Sequence, residues 1–475
     1  MTQPTTGGPW RLFIMISIGV FASLLDLFIV NIAFPDLQHD FAGVDLVQLS
    51  WVLNGYAIVF AALLVPAGRL ADLYGRRLGF VIGLTLFTIA SAACAAAPTA
   101  GWLIGARLAQ GVGAAILTPS SLGLVLPAFP ARSRAAVVAG WAAVGAVGAA
   151  AGPPLGGLLV QASWRWVFLV NVPLGAVSLW YALRRVRESR DPAASGIPDL
   201  VGTLALMVGV GSLTLALVKG REWGWTDTST TVTFGVATVM VAAAVVRSTR
   251  HRVPVLELPL LRIPSFALAV ASAFVFFAAF AAMILAGVLF LTQVWGHSIL
   301  RAGLELAPGP LVALLFAVVA GRVGPRAGMA TVGGAGGLLV AVGLALTATL
   351  VDLTPDYAGA YLPGQIVAGA GVGLAMPAFT AAAVAAVGPA RFSTAIGISS
   401  MFRQVGAALG VAALVAILGT PTRDTALTTY RHGWTFMVTA AAVGGLLMIA
   451  TRFAPQRSLG TAPTVARVPD DEPAR

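Results

Sequence analysis

Charge is scarce in this chain: Asp, Glu, Lys and Arg make up only 10% of its 475 residues. A soluble protein carries about 25%. With 58% hydrophobic residues and a mean hydropathy of +0.90, the chain reads as an integral membrane protein. Lysine occurs once, as Lys219 at the end of an apolar run. A Walker loop needs a Gly-Lys pair, so that lone lysine excludes one, and ATP does not power this protein by itself. A retinal-bearing lysine in mid-membrane is excluded by the same residue. Cysteine also occurs once, Cys94, which excludes a disulfide within the chain. The histidines, His39, His251, His297 and His432, fall in loops or at run ends and form no cluster with metal-ligand spacing. No nucleophile sits beside a base. Catalysis is not expected, and neither is a cofactor.

The net charge of +11 would point to nucleic acid in a soluble chain. Here the basic residues occupy short loops between apolar runs, so membrane topology accounts for them and no nucleic-acid partner is expected. About fourteen apolar runs lie between residues 11 and 452, each near the roughly 20 residues that cross a bilayer. The loops on one side, with both termini, hold 21 basic residues, the opposite loops hold 6, and Arg107 and Arg403 lie inside runs. That asymmetry predicts an even number of spans in the cytoplasmic (inner) cell membrane with both termini cytoplasmic. The first run has no small-residue cleavage site after it and reads as a retained helix. The breaks divide the chain into a six-helix bundle over residues 1–190, two inserted helices over 191–262, a second six-helix bundle over 263–452, and a Pro-rich, disordered tail over 453–475. Two such halves with a site between them are a transporter plan.

One carboxylate interrupts the first run. Asp26 stands within Leu24–Pro35, LLDLFIVNIAFP, roughly 21 Å from the start of the run at about 1.5 Å per residue. An ionisable group at that depth marks an ion or substrate path and needs a partner. Arg107, about two turns into the fourth run, sits at a matching depth. Burial disfavours the charged form of a carboxylate and a neighbouring guanidinium favours it. A carboxylate under both influences is a switchable proton site; a purely structural ion pair is the competing reading. Glu305, at the outer end of the tenth run, is a candidate second proton or cation site. Arg403 either faces a central cavity or pairs with a helix-end carbonyl. Asn31, Asn54, Tyr56, Gln110, Gln293, Gln365 and Gln404 either line a cavity or bond between helices.

Three further patterns stand out. Gly68-Arg-Leu-Ala-Asp72-Leu-Tyr-Gly75-Arg76-Arg77 occupies the turn between the second and third runs, where glycines permit a tight turn and Asp72 is placed to meet a helix N-terminus. Gly148-Ala-Ala-Ala-Gly152-Pro153-Pro154-Leu-Gly156-Gly157 spaces small residues four apart, which lets two helices approach closely, with prolines to bend the run. Arg107-Leu-Ala-Gln110-Gly111-Val-Gly113 carries the buried arginine.

Together these resemble the major facilitator superfamily: the turn its signature loop, the Arg107 segment its fourth-helix motif, and the Gly148 segment its fifth-helix antiporter motif. Trp164-Arg-Trp-Val-Phe-Leu-Val-Asn171-Val-Pro173-Leu-Gly175, the first-run stretch with Asp26, Asn31 and Pro35, Gly224-Trp225, and Phe402-Arg403-Gln404-Val-Gly406 are similar to its fourteen-helix drug:proton antiporter branch. Phe28 stands where that branch has a small polar residue, and Gly321-Arg-Val-Gly-Pro-Arg326, the second-half copy of the loop, lacks its Asp. The resemblance implies an all-α major facilitator fold, with two six-helix bundles and two inserted helices. It also implies export of hydrophobic or amphipathic small molecules (drugs, antibiotics, toxic cations) by alternating access. The expected energy source is the proton gradient in place of any cofactor, and a monomer is expected. Asp26, Arg107 and Glu305 are then the proton-coupling candidates. Gly68, Asp72, Gly75, Arg76, Arg77, Gly148, Gly152, Pro153, Gly156 and Gly157 are the gating candidates, and Asn31, Asn54, Tyr56, Gln110, Gln293 and Arg403 the cavity candidates. A dedicated lipid or natural-product exporter, a facilitator or importer of the same fold, and a non-transporting receptor are the alternatives.

Overall fold

The computed structural model describes residues 8–130, 133–191, 196–387, 392–419 and 422–454. Arg132, Arg391, Arg457, Arg467 and Arg475, counted above in the topology, and most of the polar tail lie outside the described residues. Among the described residues there is no strand. The long helices are α1 (Pro9–Asp40), α2 (Leu46–Tyr74), α3 (Arg76–Ala95), α4 (Ala100–Val125) and α5 (Arg134–Val160). A short α6 (Trp166–Leu169) then leads into α7 (Asn171–Arg185), and α8 (Leu200–Trp223) and α9 (Thr228–Arg250) form the inserted pair. After a single turn, α10 (Leu258–Leu261), come α11 (Pro264–Leu289), α12 (Ile299–Leu306), α13 (Pro308–Ala327), α14 (Met329–Leu350), α15 (Leu362–Ala385), α16 (Phe392–Leu418) and α17 (Arg423–Ala450). Among the described residues, 13 helical stretches are long and apolar enough to cross a bilayer. The 27-residue α5 runs beside them in the place of the expected fifth span.

Polar caps start these helices. The side chains of Asp45, Thr99, Asp199, Asp227 and Ser298 each accept a backbone N–H of the helix that follows, satisfying donors that the first turn leaves unpaired. Two expected spans are each built from two helices. Pro173 and Pro308 lack the N–H that a continuous helix would use, and the breaks fall just before them, at Val170 and Ala307. Conversely, α1 continues past Pro35 to Asp40, and α8 runs past Lys219 to Trp223, stopping at Gly224 with φ 97°.

Bare backbone holds the helix pairs together. A Cβ on Gly83 of α3 would lie 2.5 Å from Leu117 N of α4, and one on Gly113 would lie 2.5 Å from Phe87 N. In lipid there is little hydrophobic drive between helices, so such close approach supplies the association through van der Waals packing. Helices α1–α7 form one bundle and α11–α17 the other, with α8 packed against α2 and α16 across the seam. α9 lies outside α8. Ala57, Ile58 and Ala61 of α2 share a buried cluster with Leu206 and Val210 of α8 and with Met401 and Ala408 of α16.

Candidate functional site

Asp26 has no solvent exposure and lies at the convergence of five helices. Arg107 Nη1 of α4 pairs with its Oδ2. Gln110 Nε2, one turn further along α4, donates to Oδ1 at 2.9 Å, and Asn171 Nδ2 of α7 donates to the same oxygen at 2.9 Å. Ser91 Oγ of α3 accepts from Gln110 at 3.1 Å and from Asn171 at 3.0 Å while donating to Phe168 O at 2.9 Å. The guanidinium is fixed in turn. Its Nε donates to Val52 O of α2 at 2.9 Å, its Nη1 also donates to Gln110 Oε1 at 2.7 Å, and its Cζ stands 4.2 Å from the Tyr56 ring centroid. A buried ion pair survives only when the remaining lone pairs and protons find partners. Here three donors serve the carboxylate, leaving Arg107 Nη2 and Asn171 Oδ1 without partners.

The network adjoins a cavity between the two bundles. Its volume is about 60 Å³, enough for a few waters. Leu27, Phe28 and Asn31 of α1 line it, with Leu53, Asn54 and Ala57 of α2, Arg107 of α4, Phe277, Phe280, Ala281 and Ile284 of α11, and Gln404, Ala407, Ala408 and Val411 of α16. Asn31 and Asn54 therefore stand where a cavity reading puts them. Tyr56 and Gln110 instead belong to the network behind the wall, Tyr56 donating to Ser23 O at 3.4 Å. Gln293 lies at the end of the molecule that carries Asp45, where its Nε2 donates to Gln38 Oε1 at 2.8 Å across the seam, on the wall of a separate cavity of about 310 Å³. Arg403 bonds Ser400 Oγ at 2.7 Å and stands 5.4 Å from the centroid of Phe277, one ring away from the central cavity. Glu305 is 8% exposed and far along the chain from Asp26. Its carboxylate is clasped by His297 Nδ1 at 2.7 Å and Arg301 Nε at 2.8 Å.

The turn between α2 and α3 closes differently from the sequence expectation. Asp72 binds the Arg76 side chain at 2.7 Å and caps no helix. The N-terminus of α3 is capped by Glu188, whose carboxylate accepts from Arg77 N at 2.9 Å and Leu78 N at 3.0 Å. Asp72 precedes the turn on α2, so its side chain meets the i+4 arginine first. Gly75 adopts φ 138°, and a Cβ there would lie 2.6 Å from the Glu188 carboxyl carbon. Arg77 donates to Ala182 O and Leu183 O at the end of α7, and Gly68 lets α2 approach Pro119 of α4.

The small residues of α5 form two faces. Gly148, Gly152 and Gly156 lie against α1: a Cβ on Gly148 would sit 3.2 Å from Leu25 N, one on Gly152 2.8 Å from Phe28 Cβ, and one on Gly156 2.9 Å from Ile32 Cβ. Pro153 and Gly157 face α12 of the other bundle, where a Cβ on Gly303 would sit 2.7 Å from Pro153 O. One helix thus touches both the acid-bearing helix and the opposite half. Asn171 and Ser91 join the site beyond the candidates that the sequence marks. Asn171 carries a signal, an amide placed two residues before a proline between apolar stretches, and Ser91 carries none.

A family model described as Major Facilitator Superfamily matches residues 16–411. The chain belongs to that family. It is a multi-pass membrane transporter, not an enzyme. Among the relatives of this superfamily member is the multidrug resistance protein Stp of Mycobacterium tuberculosis, 38% identical, with 84% of this chain aligned to 74% of Stp. The methylenomycin A resistance protein of Streptomyces coelicolor is 35% identical over 84% of each chain. The drug efflux pump JefA of Mycobacterium tuberculosis is 32% identical over 84% of this chain and 78% of its own. These relatives place the chain in the drug-efflux branch of the superfamily. Among solved structures, a D-xylose–proton symporter superposes with a TM-score of 0.66 at 15% identity, covering 95% of this chain and 99% of its own. A bacterial homologue of the lysosomal transporter Spinster superposes at 0.65 and 17%, covering 97% and 100%. At such identities the likeness is one of fold.

Proposed function

We propose that this protein is a proton-coupled antiporter that exports hydrophobic or amphipathic small molecules, drugs and antibiotics among them, across the cytoplasmic membrane by alternating access. The names of its relatives, for multidrug resistance, methylenomycin A resistance and drug efflux, support the exporter reading. In this reading the protein acts as a monomer with both termini cytoplasmic. Residues 1–190 and 263–452 are the two rocking bundles, 191–262 is the inserted pair and 453–475 a cytoplasmic tail.

The observation that carries the coupling is that one residue, Arg107, both pairs with Asp26 and forms part of the cavity wall. With Asp26 charged, Nη1 is held on the carboxylate and Nη2 is offered unpaired. A substrate group accepting from Nη2 holds the guanidinium in that same pose, so cargo binding and loss of the proton favour each other. A proton arriving from outside neutralises Asp26, releases Arg107 from its position and loosens the cargo. That reciprocity is the linkage antiport requires. Glu305, held by His297 and Arg301, supplies a second carboxylate for a proton or cation. The Asp72 turn and the glycine faces of α5 govern the rocking.

The test is transport in proteoliposomes with an imposed pH gradient, using a compound chosen from an efflux panel run with and without an uncoupler. Asp26→Asn is expected to abolish uphill movement while keeping substrate–substrate counterflow. Uphill movement that survives Asp26→Asn overturns the proposal.

A further inference from the structure

Among the described residues the wall of the central cavity carries no acidic side chain, and its one charged member is Arg107. The carboxylate nearest it in the network, Asp26, is already saturated by Arg107, Gln110 and Asn171 and is hidden behind the wall. A second guanidinium, Arg403, stands behind the Phe277 ring at 5.4 Å, and among the described residues no carboxylate pairs with it. Near the cavity there are thus two fixed positive charges and one negative. A permanent cation entering this space meets net repulsion in a medium that screens poorly, with no carboxylate free to receive it.

Two residues of the same wall each carry a buried polar atom that has no partner. Arg107 is 0% exposed with Nη2 unbonded, and Asn54 is 1% exposed with Oδ1 unbonded, its Nδ2 turned to Ser50 Oγ at 3.4 Å. Leaving a buried donor or acceptor unmade is costly, and a ligand that satisfies both recovers that cost. One is a donor and the other an acceptor. Phe28, Phe277 and Phe280 supply flat apolar faces around them, with Phe28 and Phe280 edge-to-face at 6.0 Å.

We infer that the cargo of this transporter is an uncharged aromatic compound carrying adjacent hydrogen-bond acceptor and donor groups, such as a carboxamide or hydroxy-ketone, and that permanent cations are disfavoured. The inference rests on the exporter reading above and narrows its substrate class. The acceptor group of the cargo takes the Arg107 Nη2 proton, its N–H or O–H donates to Asn54 Oδ1, and its ring lies among the phenylalanines. At about 60 Å³ the cavity of this conformation is smaller than such a ring, so it must widen in the cargo-bound state.

The test uses two probes on one fluorescent ring, 1-pyrenecarboxamide and (1-pyrenylmethyl)trimethylammonium. Binding is read by anisotropy on the purified full-length protein, and efflux in proteoliposomes under a pH gradient. The carboxamide is expected to bind at least tenfold more tightly than the ammonium. Asn54→Leu should weaken the carboxamide about tenfold with little change for the ammonium. Arg403→Gln should narrow the preference at least threefold, and Arg403→Lys, which keeps the charge, should restore it. Equal or tighter binding of the ammonium to the wild type, no binding of either probe, or a preference unaltered in Arg403→Gln overturns the inference. If the carboxamide binds with the expected preference but is not moved uphill, the exporter reading falls and the charge preference of the cavity stands. If the ammonium is the compound exported, the exporter reading stands and this inference falls.

Discussion

Asn171, the first residue of α7, donates to Asp26 Oδ1 at 2.9 Å from 145 residues away along the chain. It shares that oxygen with Gln110 and shares Ser91 with it too, so the two amides form a fixed cradle around the acid. Replacing Asn171 with Leu removes one of three donors to a buried charge, a change worth about 1–3 kcal/mol. Gradient-driven efflux is expected to fall about tenfold or more in Asn171→Leu, and Asn171→Gln to recover part of it. Proteoliposome flux at fixed expression checks this; wild-type flux in Asn171→Leu would remove the residue from the proton site.

The face of α5 against α1 has no room for side chains. Gly152→Val places a methyl-bearing carbon only 2.8 Å from Phe28 Cβ, and overpacking of this kind costs about 1–3 kcal/mol. Thermal unfolding in detergent should drop by several degrees and efflux should fall with it. Gly105→Ala on α4, where an added Cβ meets nothing within 4 Å, is the control, with no loss of stability. Equal effects of the two would show that close approach of α5 to α1 is not what these glycines serve.

At the Asp72 turn, two acids have separate duties. Asp72→Asn breaks the pair with Arg76 and is expected to lower the maximal exchange rate severalfold with KM unchanged. Glu188→Ala removes the cap on Arg77 N and Leu78 N and should cost about 1 kcal/mol of stability. A raised KM with unchanged rate in Asp72→Asn would assign that residue to binding rather than to movement between states.

Asp199 fastens the inserted helix pair. Burial pushes its carboxyl up, but bonds from Arg247 and from Gly202 N, with the charges of Arg247 and His251, outweigh that and hold it below the ordinary carboxylate value. A carboxyl lowered in the folded state stabilises above its unfolded value of about 4 and loses that contribution as pH falls through the folded value. The unfolding temperature of wild type minus that of Asp199→Asn should therefore be positive and flat from neutral pH down to about 5, then shrink below about 4, since Asn keeps the cap and loses only the charge facing Arg247. A difference that grows on acidification would reverse the sign and exclude this account.

Apolar run length, loop arginines and capping residues act locally, through solvation by lipid and the needs of each helix end. For that reason the sequence alone fixed a helical membrane protein, the approximate place of its spans, and one acid too deep to lack a partner. Arg107 could be paired with Asp26 from depth alone, because depth is additive along a helix. Rotation about each helix axis is not local. It is set by where glycine backbones such as Gly83 and Gly113 touch their neighbours. Only the packed bundle could therefore turn Gln110 and Tyr56 away from the cavity, bring Ser91 and Asn171 to the acid, and give the α3 cap to Glu188 instead of Asp72. The same packing pairs Arg107 Nη1 with the carboxylate and leaves its Nη2 unbonded, a division that no spacing of letters encodes.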